Sequence, residues 1–134
     1  MTFSFSQRSL DNLKGVHPDL VRVMTAALAI TPIDFGIIEG VRSLARQAEL
    51  FTAKKSQTMN SRHLEGFAVD FMAYVDGMAT WEWQYYSQIA DAVKKAAFDL
   101  GVPIHWGGDW VTFKDLDHIE LDRVAYPDEG RLIA

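Results

Sequence analysis

Between Ser61 and Asp70 the chain reads Ser61-Arg-His63-Leu-Glu-Gly66-Phe-Ala68-Val-Asp70, and nearer its other end Asp115-Leu-Asp-His118. With no cysteine in the sequence, a zinc site must use imidazole nitrogens and carboxylate oxygens. Three such ligands plus one open position make a catalytic site. His63 falls in a turn just before an apolar run, Asp70 lies within that run, and Gly66 lets the chain bend between them. In an extended chain Phe67, Val69 and Phe71 face one way, into a core, while Ala68 and Asp70 face the other. Ala68 is small and leaves room for an ion beside Asp70. An acid in so apolar a strand is costly unless it is paired or bound to a cation.

His118 is the best third ligand, since it opens a late apolar strand on which Glu120 shares its face. Three residues before it, Asp115 is placed to reach a water on the metal as a general base. Asp117 is the rival base, but in an extended chain it should point away from the ligand. Glu120 either orients a ligand or pairs with a cation. Ser61 either contacts substrate or caps a turn. His17 reads as structural, and His105 as a cleft wall or surface residue. Trp81, Trp83 and Trp106 read as core, with Trp110 as a candidate groove residue.

Several elements must position these groups. Ser4 to Leu13 is a short amphipathic start. Pro18 opens a helix whose Leu20, Val23, Met24, Ala27 and Leu28 recur at helical spacing as far as Ile30. Phe35 to Arg42 reads as a strand, and Ser43 caps a helix running to about Lys55. Ser56 to Arg62 is polar and turn-like. Phe67 to Val75 is a second strand, turned by Asp76-Gly77 into Met78-Ala79-Thr80. Trp83 to Leu100 is the longest helix, stopped by Gly101. Ile104 to Trp106 and His118 to Leu121 are short strands, and the tail after Arg123 is polar. This order predicts a single α+β domain over residues 1–134, with helices on an antiparallel sheet and the zinc site at the sheet face.

The bulk properties narrow the partners. A chain of 134 residues, 49% of them apolar, can build one real core. The net charge of −5 lacks the basic stripe of a nucleic-acid binder. No run of about 18 apolar residues spans a membrane. The opening Met1-Thr-Phe-Ser-Phe-Ser-Gln-Arg does not read as a signal peptide, which predicts a cytoplasmic product.

The segment fits Ser-x-His-x-x-Gly-x-Ala-x-Asp, and Asp115 to His118 fits a later Asp/Glu-x-x-His. Together they resemble the zinc peptidases that include D-alanyl-D-alanine dipeptidases and carboxypeptidases, and small phage endolysins acting as L-alanyl-D-glutamate endopeptidases. The resemblance to the endolysin branch covers most of the chain. It includes the Phe-Ser-Phe-Ser opening, Ile-Glu-Gly-Val-Arg42, Asp76-Gly77 and Gly-Gly-Asp109-Trp110.

The resemblance implies Zn2+ on His63, Asp70 and His118, Asp115 as base, and Arg42 facing the scissile carbonyl. Many members carry glutamate at the position of Asp115. Ser61, Asp109, Trp110 and Glu120 are the candidate substrate contacts. The implied partner is the peptidoglycan stem peptide, met by a monomer that waits in the host cytoplasm for a separate pore protein. The alternatives are a D-alanyl-D-alanine carboxypeptidase or dipeptidase, and a zinc-containing wall-binding module without catalysis.

Overall fold

The computed structural model describes residues 3–54, 61–112 and 114–128. Four α-helices and a five-stranded sheet alternate along the described chain: α1 (Gln7–Asn12), α2 (Pro18–Ile30), β1 (Asp34–Glu39), α3 (Leu44–Thr52), β2 (Ala68–Val75), β3 (Met78–Thr80), α4 (Trp83–Leu100), β4 (Ile104–Trp106) and β5 (His118–Leu121). Two 3-10 turns, Arg62–Glu65 and Gly107–Asp109, lead into and out of the sheet beside the candidate ligands.

β2 organises the sheet. β1 runs antiparallel along one of its edges, and the other edge is divided between β5, on Ala68 to Asp70, and β3, on Ala73 to Val75. β4 then adds to the outside of β5. The hairpin into β3 needs left-handed backbone at both turn residues, and Asp76 and Gly77 supply it with φ of 53° and 77°. β1 is shorter than the predicted strand to Arg42. Its pairing with β2 shifts between Ile37 and Glu39, and the chain leaves the ladder before Arg42.

Alternation along the strands sends Phe35, Ile37, Val69, Phe71, Ala73, Ile119 and Leu121 into one buried cluster with the apolar stripes of α2 and α4. Phe71 lies against Phe35 and Tyr86, with ring centroids 5.8 Å and 5.3 Å away. Each such side chain removed from water contributes about 1.5–3 kcal/mol. The helix ends follow local chemistry. The His17 ring accepts the Asp19 N–H ahead of Pro18, and the Ser43 hydroxyl accepts that of Arg46. α3 ends at Thr52, so the predicted stretch from Lys55 through Asn60 lies outside the described residues.

Arg62, expected in a polar turn, is buried. Its Nη1 donates to Asp128 at 2.8 Å, and its Nη2 to the carbonyls of Leu121 at 3.2 Å and Tyr126 at 2.7 Å. The Tyr126 hydroxyl in turn donates to Asp19 at 2.7 Å. Residues 124–128 are thereby folded back onto α2 and the turn that carries His63.

Candidate metal centre and active site

Sheet register assembles the site. Asp70 pairs with Glu39 on one side and with His118 on the other, so these three side chains lie in one row across β1, β2 and β5. The neighbouring row is Ala68, Glu120 and His105. His63 enters from the 3-10 turn. Gly66, at φ +77°, closes that turn, and a Cβ there would lie 2.6 Å from the Gly15 carbonyl oxygen. Only glycine fits that bend.

His63 Nε2 lies 3.3 Å from Asp70 Oδ1, and His118 Nδ1 lies 3.4 Å from the same oxygen. Yet Asp70 Oδ1 is buried and receives no hydrogen bond. The three groups each offer a ligand atom, all within 4.8 Å of one another. Both rings are fixed from behind. His63 Nδ1 meets the Gly40 carbonyl at 2.8 Å, and His118 Nε2 meets Glu120 Oε1 at 2.9 Å. Two imidazoles aimed inward by their outer hydrogen bonds, around an orphaned carboxylate oxygen, form a donor set that fits a zinc-type cation.

The electrostatics agree with this arrangement. Burial opposes charge on Asp70, but the two imidazoles outweigh it and hold its carboxyl below the usual range. Burial likewise opposes a proton on His118. The nearby Asp70 carboxylate and the hydrogen bond to Glu120 overcome it and raise the pKa to about 9. Glu120 is desolvated too, yet His118 and Arg123 bring it down to about 2. A divalent cation held by these three groups would displace the His118 proton.

Arg42 borders the same row, its side chain only 8% exposed. It is bonded to Glu39 through Nε, to Gln47 Oε1 at 2.8 Å, and to Ser61 Oγ and Asp70 Oδ2 at 3.4 Å each. Pairing with Glu39 and proximity to the centre therefore coexist. Ser61 caps the turn by accepting the His63 N–H at 3.2 Å while facing the same cleft.

Asp115 is set by close backbone approach. Its N–H donates to the Gly107 carbonyl at 3.1 Å, and a Cβ on Gly107 would lie 2.2 Å from the Asp115 carbonyl oxygen. Asp117 corrects the sequence reading. Residues 116 and 117 form a turn, closed by the His118 N–H on the Asp115 carbonyl at 3.3 Å, so the alternation assumed for an extended chain fails there. Oxygens of Asp70, Asp115 and Asp117 come within 4.8 Å of one another. Burial first, then its hydrogen bond to Asp115 and the charges of Asp70 and Asp115, push Asp117 up to about 9.

A cleft of about 960 Å³ runs over this centre, lined by Arg42, Ser61, His63, Asp70, Asp115, Asp117 and His118 among others. Trp110 lies over the His118 ring at 5.2 Å. Trp81, expected in the core, is 57% exposed on the cleft wall and stacks on Tyr86; Trp83 is 48% exposed. Only Trp106 of that trio is buried. Asp109 is not among the residues lining the cleft and pairs with Lys94 at 2.7 Å. Glu120 lies behind His118, bonded to it and to Arg123. His105 is exposed and paired with Asp122 at 2.7 Å.

The family model described as phage L-alanyl-D-glutamate peptidase matches residues 1–129. The chain belongs to this family. The L-alanyl-D-glutamate peptidase of Escherichia phage T5 is 32% identical over 130 residues, covering 94% of each chain. The peptidoglycan L-alanyl-D-glutamate endopeptidase CwlK of Bacillus subtilis is 29% identical, over 87% of this chain and 81% of its own. The crystal structure of the Serratia marcescens L-Ala D-Glu endopeptidase ChiX superimposes with a TM-score of 0.89 at 49% identity, covering 93% of this chain and 95% of that one. In this family member, the Ser61 to Asp70 segment and Asp115 to His118 meet across β2 and β5.

Proposed function

We propose that the chain is a zinc-dependent peptidoglycan peptidase that hydrolyses the L-alanyl-D-glutamate bond of stem peptides. The observation that carries the chemistry is the orphaned Asp70 oxygen between two oriented imidazoles, with a pair of carboxyl groups beside it. The substrate comes from the family and from the activities named for the relatives.

His63, Asp70 and His118 hold the metal. When bound, zinc supplies Lewis acidity, which acidifies a water and polarises a carbonyl. Asp115 accepts the proton of the attacking water and returns it to the departing amine. Burial and the neighbouring carboxyl groups raise Asp117 to about 9, so it favours its neutral form beside the base. Arg42 is held rigidly by Glu39, Gln47 and Ser61. Its positive charge stands beside the reacting carbonyl oxygen, where it stabilises developing charge without reorganising.

Within this reading the chain works as a monomer. It stays in the host cytoplasm until a pore made by another protein admits it to the wall. Expression alone should leave cells intact, and co-expression with a pore-forming protein should lyse them.

Digestion of purified peptidoglycan by the zinc-loaded protein, followed by mass spectrometry, tests the bond. New L-alanine carboxyl ends and D-glutamate amino ends are expected. Release of terminal D-alanine in their place would make the chain a carboxypeptidase, and an unaltered wall would leave it a binding module.

A further inference from the structure

A side pocket of about 320 Å³ adjoins the main cleft, and Trp110, Glu120 and Arg123 line both spaces. Arg123 is anchored at one atom only: its Nε donates to Glu120 Oε2 at 3.1 Å. Among the described residues its two terminal nitrogens meet no partner, and the side chain is 62% exposed. The guanidinium is thus oriented by a largely buried carboxylate while its outer donors stay free, the form in which arginine takes a carboxylate in two parallel hydrogen bonds.

The other charges around it are already matched. Glu120 is bonded to His118 and Arg123. Asp122 is bonded to His105 and to the N–H groups of Val124 and Ala125. Of the other cleft arginines, Arg42 and Arg62 are engaged by neighbours, and Arg46 is paired with Glu49 on its own helix.

A D-glutamyl residue carries two carboxyl groups, and the peptide continues through only one. An anion therefore remains on the departing side of the cut whichever linkage is used. We infer that Arg123 is a substrate-binding residue that captures a free carboxylate on the glutamyl side of the scissile bond, at the junction of cleft and side pocket. This rests on the proposed L-alanyl-D-glutamate cleavage. Through Glu120 and His118 the same residue is linked to the metal centre, so the bound anion and the reacting carbonyl are referred to one rigid strand.

The test compares two peptides containing L-alanyl-D-glutamate, one with every carboxylate beyond the cut free and one with them amidated. Zinc-loaded wild-type protein should favour the free acid in kcat/KM by about tenfold to a hundredfold, the worth of one charge-assisted pair. Arg123→Gln should bring that ratio towards one, mainly through KM, at unchanged zinc content, and Arg123→Lys should restore part of it. An equal loss on both peptides with the ratio intact would make Arg123 a support for Glu120 only and overturn the proposal. So would a ratio that disappears in Arg46→Gln instead. If wild-type protein cuts neither peptide, the cleavage reading fails by itself. Calorimetric binding of the two peptides to wild-type and Arg123→Gln protein then still decides whether Arg123 holds the carboxylate.

Discussion

His118 Nε2 and Glu120 Oε1 are 2.9 Å apart on β5, two residues from each other and on the same face of the strand. This contact leaves Nδ1 as the nitrogen that faces Asp70, so the Glu120 carboxylate fixes which ring atom is offered to a cation. Replacing Glu120 by Gln should weaken zinc binding about tenfold, and by Ala towards a hundredfold. Competition against a chromogenic chelator measures it. Unchanged affinity in both variants would show that the ring needs no such support.

Asp115 and Asp117 share one patch of the cleft, but only one of them should be indispensable. Asp115→Ala should keep stoichiometric zinc and lose at least about a hundredfold in turnover. Asp117→Asn, which imitates the protonated form of that side chain, should retain most of the activity. Metal analysis and single-turnover rates on both variants separate the roles, and the reverse pattern would move the base to Asp117.

Stability of the zinc-free protein should fall as pH rises from about 6.5 to about 9. His118 holds its proton to about 9 when folded against an ordinary 6.5, and Asp117 to about 9 against 3.8. Both groups bind more protons folded than unfolded throughout that window, so the slope of stability with pH is negative. The His118 contribution is complete below about pH 6.5 and gone above 9. Thermal melts should show a drop of roughly several degrees, and saturating zinc should reverse it, because the metal replaces the proton. A flat melting profile without zinc would contradict a protonated His118 between two carboxylates.

Phe71 follows Asp70 on β2 and points into the core, with no exposure. Phe71→Ala should cost about 3–5 kcal/mol by emptying a space against Phe35 and Tyr86. Urea denaturation gives the value. A loss below about 1 kcal/mol would mean that the neighbouring rings collapse into the gap.

Much of this arrangement is legible in the sequence where a periodic pattern acts alone. The alternation from Phe67 to Val75 and the Asp76-Gly77 turn predict β2 and β3, and the apolar stripe of residues 83–100 predicts α4. The clustering of His63, Asp70 and His118 is legible because His63 and Asp70 flank a glycine bend and His118 opens a strand. What escapes depends on neighbours distant in the chain. Asp117 enters the cleft because residues 116 and 117 turn, which no alternation reveals. Arg62 is buried because carbonyls some sixty residues later meet its guanidinium. Trp81 is exposed because Tyr86 beneath it already fills the core position.

The grip of Arg62 on the returning tail has a consequence for local unfolding. The turn that carries His63 and the end of the strand that carries His118 are tied through one guanidinium, so neither can open far without the other. Opening at Asp128 and loosening of the metal centre then share one free energy. Zinc should slow protease cleavage near Tyr126 by the same factor that it protects the amide of Phe67, whose N–H is bonded to the Arg62 carbonyl.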